Sequence, residues 1–133
     1  MKPELNMSSL KHDTIFVGLN PSRKKISSQK NTAYIRWCEW LDYLRLDRVT
    51  FINLSYDVDW DFKFSSLDRT FICTNLENYS KIVAWGDRVS GFLNRLGFRD
   101  HFVVPHPSGL NRKINDHKYV FTTLDECKEY LNE

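Results

Sequence analysis

The sequence predicts an α/β fold, a three-layer α/β/α sandwich built on a central parallel sheet of about four strands. Three observations carry that expectation. Strand-like and helix-like segments alternate from end to end. Each strand-like segment is apolar along its whole length, as a strand covered on both faces must be. The 133 residues suit one core, so the chain reads as a single domain over residues 1–133.

The elements follow in order. Met1 to Asp13 is polar, lacks the apolar segment of a secretory signal and reads as an N-terminal extension. Thr14 to Leu19 is a β-branched, apolar run stopped by the turn signal Asn20-Pro21, hence a first strand. Asn31 or Thr32 can cap a helix that repeats Tyr34, Trp37, Cys38, Leu41 and Leu44 at helical spacing. Val49 to Leu54 is a second strand, and Ser66 to Tyr79 is assigned to a helix. Lys81 to Gly86 forms a third strand. Asp87 is expected to cap the next helix, which carries Val89, Phe92, Leu93 and Leu96 and stops at Gly97. His101 to Pro105 is a fourth strand, and a helix from about Leu124 to Leu131 closes the chain.

Composition narrows the function classes. Apolar residues at 41% and charged residues at 27% are ordinary for a soluble globular protein. No apolar run approaches bilayer-spanning length, so the expectation is an intracellular protein without a membrane partner. Three widely spaced cysteines, an odd number, argue against a disulfide framework. Without a Cys-x-x-Cys pair, and with four scattered histidines, neither a metal nor another cofactor is expected. The net charge of +2 is too small to identify a nucleic-acid binder, so distribution matters more. Arg23, Lys24, Lys25 and Lys30 form one basic segment, and Arg112, Lys113 and Lys118 another. Brought together, they would form a positive rim.

In parallel α/β sheets, ligands bind beyond the carboxyl ends of the strands. There the first strand delivers Asn20, the second Asn53 and Ser55, and the fourth His106. Prolines follow Asn20 and flank His106, which stiffens the backbone at both places.

Gly18-Leu19-Asn20-Pro21-Ser22 resembles the first motif of the uracil-DNA glycosylase superfamily, whose mismatch-directed and single-strand-selective branches carry Gly-x-Asn-Pro. His106-Pro107-Ser108-Gly109-Leu110 resembles the second motif, a His-Pro-Ser segment followed by a DNA-penetrating loop. Trp85-Gly86 is similar to a short pattern at the end of the third strand. The likeness spans about Thr14 to Lys118.

The resemblance implies a monofunctional DNA glycosylase that hydrolyses the N-glycosidic bond of uracil or a modified pyrimidine flipped out of DNA. It gives catalytic roles to Asn20, which positions the attacking water, and to His106, which donates to the leaving base. Asn53 reads the base edge, since an amide both donates and accepts, and Leu19 is a further base-binding residue. Tyr34 is the nearest stacking aromatic, although it fits the helix stripe equally well. Ser22, Arg23, Ser108, Gly109 and Arg112 are implied DNA contacts. Leu110 would be the wedge that fills the gap left by the base, or else a loop leucine tucked under the domain. Arg23 to Lys30 departs from the aromatic, glycine-rich pocket wall common in the family, which leaves the accepted base open. DNA in double- or single-stranded form is the expected partner, and a monomer the expected state. The competing expectation is a weak or inactive relative that recognises DNA or a nucleotide without cutting it.

Overall fold

Apolar residues at consecutive strand positions are stable only where helices cover both faces, and β1 (Thr14–Gly18) is buried at all five positions. The computed structural model describes residues 13–20, 32–46, 49–55, 62–107 and 112–133. In it, β1 pairs with β2 (Thr50–Asn53) on one side and β3 (Lys81–Trp85) on the other. β4 (Phe102–Val104) adds to β3, giving an all-parallel sheet in the order β2-β1-β3-β4. Phe16 lies level with Phe51 and Val83, and Gly18 with Asn53.

Four helices complete the three layers: α1 (Thr32–Leu44), α2 (Arg69–Leu76), α3 (Gly86–Leu96) and α4 (His117–Leu131). The two-residue period of a strand sends alternate side chains to opposite faces. Phe16, Val83 and Val104 therefore pack with Trp37, Leu41 and Leu44 of α1 and Val120, Leu124 and Cys127 of α4. Ile15, Val17, Ile82 and Ala84 face the other way, onto Ile72 and Leu76 of α2 and Val89, Phe92 and Leu93 of α3. The α/β/α architecture expected from alternation is the one observed. Among the described residues, no helix is long and apolar enough to cross a membrane.

Every strand is shorter than expected by one or two residues, and three helices depart from expectation at their starts or in length. Asp87 does not cap α3, which begins one residue earlier, at Gly86. Gly86 takes a φ of +87°, so strand passes into helix with no connecting residue, and Asp87 falls within the first turn. α4 begins at His117, several residues before the expected start, because the Asp116 carboxylate accepts from the Tyr119 N–H at 3.1 Å and caps it. α2 is shorter than expected. Asp68 caps it, and a separate 3₁₀ turn occupies Phe64–Ser66. β4 is trimmed to three residues. The expected stop at Gly97 is observed, with φ +98° and its N–H returned to Leu93 and Asn94 carbonyls.

The cysteines are free, Cys127 buried and Cys38 and Cys73 half-buried. Burial pushes the Cys127 thiol up to about 12, so almost none is thiolate at neutral pH. A colorimetric thiol titration of the folded protein is therefore expected to miss Cys127 until denaturant is added.

Candidate functional site

The order β2-β1-β3-β4 places a topological switch point between the carboxyl ends of β1 and β3. From there the chain leaves toward α1 on one face and α3 on the other, opening a crevice of the kind where ligands bind.

On the β1 side, pairing continues past the strands. The Leu54 N–H donates to the Gly18 carbonyl and the Ser55 N–H to the Leu19 carbonyl, both at 3.0 Å. Half-buried Asn53 and Asn20 thus project from tied backbone. Gly18 makes the close approach possible. A Cβ placed on it would lie 2.6 Å from Phe51 Cζ and 2.7 Å from Asn53 Oδ1. Gly18→Ala is therefore expected to displace the Asn53 amide and destabilise the fold by about 1–3 kcal/mol. Chemical denaturation and a crystal structure of the variant would check both effects.

On the far side, β4 ends at Val104, and buried Pro105 and Pro107 flank half-buried His106. The Trp85 ring meets the imidazole nearly edge-on, with centroids 5.6 Å apart and planes at 74°. Gly86 packs beneath it, where a Cβ would sit 3.6 Å from His106 Cβ. Burial lowers the His106 pKa below the ordinary imidazole value, so the ring is neutral at physiological pH. A neutral imidazole keeps one N–H donor and one acceptor. Arg36 of α1 donates from Nη1 to the Pro107 carbonyl at 2.8 Å.

Behind Trp85 lies an aromatic cluster. Its ring centroid is 4.7 Å from Phe51 and 5.1 Å from Trp37, and Trp37 in turn lies 5.0 Å from Phe51 and 6.0 Å from Phe16. Among the described residues the buried Nε1 atoms of Trp37 and Trp85 have no hydrogen-bond partner.

A cavity of about 240 Å³ opens mainly at the carboxyl ends of β3 and β4, its wall including Trp85, Gly86, Arg88, Val104, His106 and Tyr119, with Leu19 reaching it from β1 and Lys113 also lining it. At about 30 Å³ per water, its volume equals that of about eight waters, enough for a planar six-membered ring. Lys113 is exposed and stands 3.9 Å from the Asp87 carboxylate.

Of the residues singled out from sequence, Leu19, Trp85, Gly86, His106 and Lys113 line this cavity. Asn20 and Asn53 occupy the ends of neighbouring strands without contributing to its wall. Tyr34 packs 6.3 Å from Trp37 against the α1 and α4 core, and burial and the Cys38 thiol raise its pKa. The cavity wall does not include it. Ser22, Arg23, Ser108, Gly109 and Leu110 lie outside the described residues, as do Lys24, Lys25 and Lys30. Arg112 opens a short 3₁₀ turn, Arg112–Asn115, and its side chain also lies outside the description.

Sequence reasoning missed Arg36, Arg88 and Tyr119. Tyr119 is 41% exposed, an aromatic at the cavity mouth. Reading its segment as the start of α4 would have set it off the stripe of Val120, Leu124, Cys127 and Leu131 that the helix buries. Arg36 meets Pro107 across 71 positions, and no local pattern announces such a contact. Among the described residues, no cluster of three or more His, Cys, Asp or Glu side chains is arranged to hold a metal ion.

No protein-family model, no curated protein and no solved structure matches the chain.

Proposed function

We propose that the protein is a monofunctional DNA glycosylase that releases uracil or a modified pyrimidine from DNA, acting inside the cell as a monomer. The observation that carries this reading is His106, a desolvated imidazole on proline-flanked backbone in the wall of a ring-sized cavity. The two motifs beginning at Gly18 and His106 support it, since their Asn and His emerge at the carboxyl end of one sheet.

The chemistry follows from charge. As the glycosidic bond breaks, its electron pair leaves with the base, and positive charge builds on the sugar. The His106 N–H holds the negative charge arising on a carbonyl oxygen of the base. A neutral donor does this without itself needing to ionise. Water adds to the anomeric carbon, oriented by the Asn20 amide oxygen, and gives up a proton that balances the departing base. Asn53 offers a donor and an acceptor to the edge of the base. None of the residues given a catalytic role is a lysine able to form a Schiff base, so the abasic strand remains uncut until alkali is added.

The second reading is a module that binds DNA without cutting it. One observation favours it: Asn20 and Asn53 do not line the cavity that His106 lines. Labelled oligonucleotides carrying uracil opposite guanine, opposite adenine and in a single strand separate the two, alongside other modified pyrimidines. Base release that disappears in Asn20→Ala and in His106→Ala supports the glycosylase. Binding without release from any substrate supports the module.

A further inference from the structure

The segment that carries His106 cannot be held by a sheet ladder. β4 ends at Val104, and Pro105 and Pro107 have no N–H to donate. Pro107 is buried, and its carbonyl accepts a part-buried hydrogen bond. An unsatisfied buried acceptor costs about 1–3 kcal/mol. The partner comes from α1, as the 2.8 Å bond from Arg36 Nη1.

α1 is itself firmly seated at this point. Trp37, the next residue, is 1% exposed and packs 5.1 Å from Trp85, the ring that borders His106. Two adjacent residues of one helical turn therefore reach both supports of the imidazole: Trp37 touches the ring beside it, and Arg36 holds the backbone just after it. A guanidinium suits the task because it stays charged and its planar donors are preorganised.

We infer that Arg36 is a positioning residue, which holds the Pro107 carbonyl and thereby fixes the His106 imidazole in the cavity wall. Its consequence for base release rests on the glycosylase reading. Its consequence for the imidazole rests on the hydrogen bond alone. Without the bond, the Pro105–Pro107 segment loosens, the ring becomes more exposed, and the donor drifts from the place where charge develops. Misplacement by about 1 Å costs about 100-fold in rate.

The test compares wild type, Arg36→Lys and Arg36→Met. The His106 ring is titrated by NMR on the DNA-free protein, its resonances assigned by their loss in His106→Gln. Maximal rate and KM are measured under single-turnover conditions. Arg36→Met is expected to move the His106 pKa up toward the ordinary value and to lower the maximal rate about 100-fold with KM little changed. Arg36→Lys, which keeps a charged donor without the fork, is expected to recover part of both and guards against a loss due to unfolding. Titration and rate both like wild type would overturn the inference. So would a raised KM at unchanged maximal rate, which would make Arg36 a DNA contact. If wild type releases no base, the glycosylase reading fails by itself. The titration then decides alone: a shifted His106 upholds the positioning role, and an unshifted one ends it.

Discussion

His106→Ala is expected to slow base release by about 10²–10³-fold near neutral pH, the usual loss when one preorganised donor to a developing anion is removed. The expectation follows from where the ring sits. Half-buried against Trp85 and Gly86, it offers its N–H from a partly desolvated position, where a hydrogen bond to a charge is worth more than in bulk water. His106→Gln, whose amide can still donate, should retain more of the rate than alanine does. pH supplies a second signature. Burial depresses the His106 pKa, so the ring stays neutral as pH falls through about 6.5, where an ordinary imidazole would charge. The rate should therefore hold through that value and change only at lower pH. Stability moves in the same window with a definite sign. Below about pH 6.5 the unfolded chain takes up a proton at this position that the folded site resists. The unfolded state thus binds more protons, and stability is lost as the solution is acidified toward the depressed folded value. Denaturant melts of wild type and His106→Gln between pH 7 and about 5 should diverge in slope. Parallel curves would contradict the assignment.

Trp37→Ala is expected to be the most damaging single core substitution, at about 3–5 kcal/mol. Against a total stability of about 5–15 kcal/mol, that loss leaves little. Trp37 is 1% exposed and contacts Phe16, Tyr34, Phe51 and Trp85 edge-on or tilted. Alanine would leave an aromatic-lined void under the site. Trp37→Phe should be far milder, for a specific reason. Among the described residues, the buried indole N–H has no partner, so phenylalanine removes a desolvated donor while keeping a ring in place. The comparison by urea denaturation is informative both ways. Equal losses in the two variants would mean that the N–H has a partner worth keeping.

The architecture was legible because its signals are local and redundant. β1 and β3 are apolar at consecutive positions, which only a sheet covered on both faces accommodates. Gly97 stops α3 by a backbone requirement that few other residues meet. Boundaries were less legible where side chains rather than periodicity decide them. Asp116 extends α4 by a full cap, and Gly86 erases the loop in which Asp87 was expected to act. At the site, the residues at strand ends could be named from alternation alone, because topology determines where strand ends lie. Which of them share a cavity could not. That depends on how far each side chain reaches across the crevice, and it separates Leu19 and His106 from Asn20, Asn53 and Tyr34. Contacts such as Arg36 to Pro107 leave no trace in any window of sequence, since they are decided only when α1 and β4 meet.

The place of β1 in the sheet also governs the order in which the molecule can come into being. Ile15, near the start of the chain, pairs with Thr50 on one side and Ile82 on the other. A chain emerging from the ribosome thus presents β1 before either of the strands that flank it in the sheet. Until Lys81–Trp85 has been synthesised, one edge of β1 has no strand to bond, and Ile82, Val83 and Ala84 are missing from the two cores that cover it. Such an unfinished edge invites pairing with other chains. The sheet therefore closes only after β3 has been made, since β1 bridges β2 and β3.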